Sequence, residues 1–104
     1  MKKVFISQPM KGKTDNEILL ERDRAIKVIK ETINDDVEFV DSFFNINDGV
    51  PNDINKPLWF LAKSIALLST ADIAYFISGW NQARGCKIEH ECAAQYGIAI
   101  ITED

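Results

Sequence analysis

The side chains whose types and spacing suit chemistry cluster in one stretch, Gly85-Cys86-Lys87-Ile88-Glu89-His90-Glu91-Cys92. A carboxylate there can be a nucleophile, and the His, Cys and Glu set looks on paper like metal ligands. The segment Gly85 to Tyr96 reads as a helix, closed by Gly97 in the position that tolerates left-handed geometry. Helical geometry then decides among these roles. Residues one and two apart on a helix do not converge and the HExxH spacing is absent, so no metal site is expected at Glu89-His90-Glu91. Cys86 and Cys92 fall roughly 120° apart (six steps of ~100°), so they do not pair easily, and nothing nearby completes a zinc set.

On a helical wheel with Ile88 at zero and ~100° per residue, Cys92 falls near 40°, Gly85 near 60°, Tyr96 near 80° and Ala93 near 140°. Lys87, His90, Glu91 and Gln95 occupy the arc between about 200° and 340°, and His90 and Glu91 are expected to be solvated. Glu89 falls near 100°, inside the apolar arc, in the first turn after a polar loop. Burying a carboxylate without a partner is costly. Two readings of Glu89 follow. It is a nucleophile or ligand-binding carboxylate, or it is stabilised by the positive end of its own helix or by Arg84.

The elements that must position Glu89 alternate between strand and helix. Val4-Phe5-Ile6 is a short strand ended by Pro9. Thr14 with Glu17 has the capping-box form, and Ile18, Ala25, Ile29 and Ile33 follow at helical spacing, with Arg22, Lys30 and Glu31 elsewhere; a helix of about 18 residues is expected. Val37 to Val40 is a second strand. Asp41 to Pro57 is a long loop of the kind that is often functional. Pro57 opens a helix through Leu68 that is apolar nearly all round and is expected to be buried on more than one side, part of it against another subunit. Ile73 to Ile77 is a third strand, Ser78 to Arg84 a polar loop, and Ile98 to Ile101 a final strand. This order predicts one domain over residues 1–104, an α/β fold with a short parallel sheet between helical layers, flavodoxin-like or Rossmann-like. In such folds ligands bind beyond the carboxyl ends of the strands. That confines the search to Ser7–Lys13, Asp41–Pro57 and Ser78–Gly85.

Composition sets outer bounds. The sequence has 104 residues, 46% of them hydrophobic and 27% charged, which excludes wholesale disorder. The net charge of −4 argues against duplex nucleic acid, although a few backbone amides and one Arg can still hold a small anion. Two cysteines point to a reducing compartment. No apolar stretch suits a signal peptide or a transmembrane helix, so a cytoplasmic protein is expected.

Two motifs carry a resemblance. Phe5-Ile6-Ser7-Gln8-Pro9-Met10 resembles the I-S-G-P-M opening of a small uncharacterised phage and bacterial branch of the nucleoside 2-deoxyribosyltransferase-like superfamily. Gly79-Trp80-Asn81-Gln82-Ala83-Arg84-Gly85-Cys86-Lys87-Ile88-Glu89-His90-Glu91 resembles that branch's second signature, G-W-E-x-S-x-G-A-x-x-E-H-E. The resemblance covers most of the chain and implies an enzyme acting on the N-glycosidic bond of a nucleoside or nucleotide, as a transferase or a hydrolase. It makes Glu89, four residues after Gly85, the nucleophile that attacks the sugar C1′. It also implies substrate contacts at Ser7, Gln8, Met10, Gly12, Trp80, Asn81 and Gly85, no cofactor, and homo-oligomers. Arg84 is a candidate substrate contact that binds a phosphate, pairs with Glu89 or lies in solvent. The Trp80 ring either stacks on a base or packs at the sheet edge.

Two departures bear on that reading. Superfamily enzymes carry an Asp in the second helix, ahead of an Ala-Asp pair, that assists proton transfer to or from the base. Here the pair is Ala71-Asp72, and the Asp position holds Ser64, whose hydroxyl does not titrate usefully near neutral pH. Asp72 and Asp41 are the nearest alternatives. Gln8 replaces a Gly whose missing side chain lets the backbone approach a ligand. A non-catalytic nucleotide-binding or accessory protein is therefore the alternative, and a self-associating interaction protein a third reading.

Overall fold

A computed structural model describes residues 1–40 and 51–103. The elements are β1 (Lys2–Ser7), α1 (Asp15–Thr32), β2 (Val37–Val40), α2 (Lys56–Leu68), β3 (Ile73–Phe76), a 3-10 turn (Trp80–Gln82), α3 (Arg84–Gln95) and β4 (Ala99–Thr102). The strands form one parallel sheet in the order β2-β1-β3-β4, with Val4 flanked by Phe39 and Ile73. The fold is α/β with three layers, α1 on one face and α2 and α3 on the other.

β1 is central, and its apolar run is buried on both faces. Val4 and Ile6 pack with Ala25 and Ile29 of α1, while Phe5 packs with Leu68 of α2 and Ala93 of α3. This two-sided burial is what a continuous apolar run in a parallel sheet requires.

The capping box at the start of α1 forms: the Glu17 amide donates to Thr14 Oγ1 at 3.2 Å and the Thr14 amide to Glu17 Oε1 at 3.4 Å. The buried stripe of α1 is Ile18, Arg22, Ala25 and Ile29. Arg22 thus belongs to the core-facing stripe, contrary to its assignment from residue type. Its stem lies along the stripe while its Nη2 donates to the Val40 carbonyl at 3.3 Å, so the apolar part is buried and the charged end is bonded. Ile33 caps the helix in extended conformation and is not part of it.

α2 starts as expected, with Asn55 Oδ1 accepting from the Leu58 amide at 3.1 Å and Pro57 in the first turn. Its burial differs from expectation. Of its residues only Leu68 is fully buried, and Leu58 is 60% exposed. Leu67 and Leu68 pack on the sheet and Leu61 lies beside Gly85 of α3, while Trp59, Phe60 and Ile65 are half-buried and Leu58 is the large apolar side chain left open within the chain. Gly97, with φ of 75°, adopts the left-handed geometry that turns the chain from α3 into β4. No helix among the described residues is long and apolar enough to cross a membrane.

Candidate active site

From β1 the chain steps to one neighbour, β2, and then returns past β1 to β3. The strand order therefore reverses between β1 and β3, and a crevice opens beyond their carboxyl ends. A cavity of about 610 Å³ lies there, walled by the segment after β1, one side of α2, the loop after β3 and the first turns of α3. Ser7, Gln8, Met10, Arg84, Gly85 and Glu89 all line it; Gly12, Trp80 and Asn81 do not.

Glu89 sits at the floor, 6% exposed. The residues of α3 that are buried are Cys86, Glu89 and Ala93, an arc from about 100° to 160° on the wheel, so Glu89 does face inward. Tyr96, which the wheel places with the apolar residues, caps the helix end and is 83% exposed. Both Glu89 oxygens are engaged. Ser7 Oγ donates to Oε1 at 2.6 Å from the end of β1, and Ser64 Oγ donates to Oε2 at 2.5 Å from α2. Arg84 is not the partner; it is exposed and lines the cavity.

The electrostatics of this arrangement are unbalanced. Burial pushes the Glu89 carboxyl above its ordinary value, and the two neutral hydroxyls offset that only in part. Cys86, on the same wall, is a thiol that burial pushes up to about 11, so it stays protonated and unreactive near neutral pH. Glu89 is the sixth residue of α3, past the first turn where it was expected, so the field at the amino end of the helix contributes little to it; Ala83 at the cap position leaves the first-turn amides without a side-chain acceptor.

The other predicted residues have definite places. Gln8 is buried; its Nε2 donates to the Ile18 carbonyl at 2.5 Å and its Oε1 has no partner among the described residues. The side chain that replaces glycine therefore braces α1 against the first loop. Met10 stands 39% exposed at the cavity mouth, and the turn around Gly12 is closed by the Lys13 amide donating to the Met10 carbonyl at 3.2 Å. Asn81 is exposed in the 3-10 turn.

Trp80 packs as part of the protein. Its ring stacks on His90 at 4.3 Å with the planes 11° apart, and Phe76 meets both rings. His90 is thus half-buried rather than solvated, because Gly79, with φ of 92°, turns the loop back over α3. Glu91 is exposed and accepts from Gln95 Nε2.

Of the two alternatives for a proton-transfer helper, Asp72 does not come together with Glu89. Asp72 lies at the opposite, amino edge of the sheet, where its Oδ2 accepts from the Lys3 amide at 2.8 Å. Asp41 lies outside the described residues, as does most of the long loop it begins. Ser64 emerges as a direct partner of Glu89, a contact between residues 25 apart for which no local signal exists.

A comparison with curated proteins gives no match. A family model described as a domain of unknown function, DUF4406, matches residues 2–102. Since that match spans nearly the whole sequence and includes every wall of the cavity, the chain belongs to the DUF4406 family.

Proposed function

We propose that this protein cleaves or transfers the N-glycosidic bond of a nucleoside or nucleotide, with Glu89 as the nucleophile. The observation that carries the reading is a buried carboxylate, held by two serines, at the floor of a 610 Å³ cavity at the switch point of the sheet. A cavity of this size suits a nucleoside. The two serines fix the carboxylate in one orientation without neutralising it, as a nucleophile requires. The chemistry is that of a retaining glycosidase: Glu89 attacks C1′ through an oxocarbenium-like transition state, and a second base or water then takes the sugar from the covalent intermediate. The resemblance of both motifs to the nucleoside 2-deoxyribosyltransferase-like superfamily supports the same assignment of Glu89.

Ser64 favours a second reading, in which the cavity binds a nucleotide without turning it over, because the acid expected there is absent. Incubation with a panel of nucleosides and nucleotides of different bases, read by chromatography for free base, tests the first reading. Base release from some member, lost in Glu89→Gln, is expected. Binding by calorimetry with no release from any member supports the second reading instead. The open apolar surface of α2 around Leu58 supports self-association, and light scattering at micromolar concentration measures it.

A further inference from the structure

Resting on the N-glycoside reading, we propose that the substrate is a nucleotide whose base leaves without needing a proton: a pyridinium-type base on a sugar that carries a 5′-phosphate. A neutral nucleobase is a poor leaving group as an anion, and enzymes that release one position an acid against it. Among the described residues lining the cavity, Glu89 is the only carboxyl group. It is already assigned to attack. Ser7 and Ser64 direct their protons to Glu89, and Cys86 is a buried thiol. Lys11 and Arg84 are exposed cations at the mouth.

A pyridinium base removes the requirement. Glu89 forms a bond from its carboxylate oxygen to C1′ as the C1′–N bond breaks. The electron pair of that bond goes to the ring nitrogen and cancels its positive charge, so the base departs as a neutral pyridine. Water then attacks C1′, the bond to Glu89 breaks with its electron pair returning to the carboxylate, and one proton is released to solvent. The step balances with water as the only co-reactant.

The charges of the cavity follow the same order. The buried anion at the floor faces the cationic end of such a ligand. Lys11, Arg84 and the uncapped amino end of α3 suit its anionic phosphate. Ile6, Phe60 and Leu61 supply apolar wall for a flat ring.

The probes are nicotinamide mononucleotide and nicotinamide riboside, set against the 5′-monophosphates of deoxyadenosine and thymidine. Free base is measured with the wild-type chain and with Glu89→Gln, whose folding is checked by circular dichroism. Nicotinamide release from the mononucleotide should exceed adenine or thymine release by at least about 100-fold, the lower end of what a positioned acid contributes. Release should be about tenfold slower from the riboside, which lacks the phosphate. Comparable or faster release of the neutral bases, still dependent on Glu89, overturns this inference and leaves the N-glycoside reading in place; it would point to an acid from outside the described residues, where Asp41 and Asp48 lie. No release from any probe above the Glu89→Gln background overturns this inference, and no release from the wider panel of nucleosides and nucleotides overturns the N-glycoside reading as well.

Discussion

Two glutamates stand at the carboxyl edge of the same sheet, on opposite faces, and their surroundings drive them in opposite directions. Glu103 follows β4 beside a second cavity of about 590 Å³. Its side chain accepts from both terminal nitrogens of Arg24 at 3.1 and 3.2 Å, from the Tyr75 hydroxyl at 2.8 Å and from the Ser78 amide at 2.8 Å. Among the described residues, Glu89 accepts only from two neutral hydroxyls. Burial raises both carboxyls, but the bonds from Arg24, Ser78 and Tyr75 outweigh it at Glu103, which ends below its ordinary value. Glu89 ends above it. The same residue type is thus a clamp on one face and a poised group on the other, and the presence of a cationic donor decides which. Glu103 also raises its neighbour, since burial together with the bond to Glu103 pushes the Tyr75 hydroxyl up to about 12.

Breaking the comparison at Glu89 should have the largest effect. Glu89→Gln is expected to lower turnover by at least about 1,000-fold, because no other carboxylate among the described residues lines the cavity. Its thermal unfolding should stay close to that of wild type, since removing a charge that is costly to bury offsets altered hydrogen bonding. The complementary change is Glu103→Ala. It strips Ser78, Tyr75 and Arg24 of their acceptor and should destabilise the fold by about 2 kcal/mol in urea titration. Half the Arg24 side chain is solvated, which limits the contribution of the ion pair itself.

Acid titration of stability separates the two glutamates by sign. The Glu103 contribution is present above the ordinary carboxylate range and is lost as pH falls through it toward the lowered folded value. Glu89 behaves in the opposite way: its folded state holds the proton more tightly, so stability declines as pH climbs from 4.5 through the raised folded value. Urea midpoints measured against pH should lose the first slope in Glu103→Gln and the second in Glu89→Gln. In the proposed reaction Glu89 attacks in its ionised form, so the rate should rise with pH through a value above the ordinary range.

Ser64→Ala sharpens the cause of that shift. It removes one hydroxyl that favours the charged form, so the acidic limb of the rate profile should move to higher pH, with a rate loss of about tenfold at neutral pH. The smallest effect belongs to the aromatic stack over α3. His90→Ala should cost about 1 kcal/mol of stability, and Trp80 fluorescence should report the lost contact.

The legibility of the molecule in its sequence tracks the range of the interactions. The capping box at Thr14 and Glu17, the turn at Gly97 and the inward face of Glu89 depend on residues within a turn or two, and local spacing reveals them. The alternation of elements likewise leads to the parallel sheet. The partners of Glu89 are of another kind. Ser7 and Ser64 lie 82 and 25 residues away, and only the assembled sheet brings them together. Arg22 shows the limit of residue type as a guide, since its position with Ile18, Ala25 and Ile29 places it in the core stripe despite its charge. His90 is drawn from the polar arc by a loop that a single left-handed glycine folds back. Glu103 carries no signal in its neighbours, because its role exists only through Arg24 and the loop after β3.

The central claim is that Glu89 bonds to the sugar. Incubation with a nucleotide bearing fluorine at C2′, which destabilises the oxocarbenium-like transition state and slows breakdown of the intermediate, followed by intact-mass and peptide mass spectrometry, tests it most directly. The expected result is one added glycosyl mass on the peptide that contains Glu89, absent in Glu89→Gln. Turnover of the parent nucleotide with no adduct at Glu89, or an adduct on a different residue, would contradict the account.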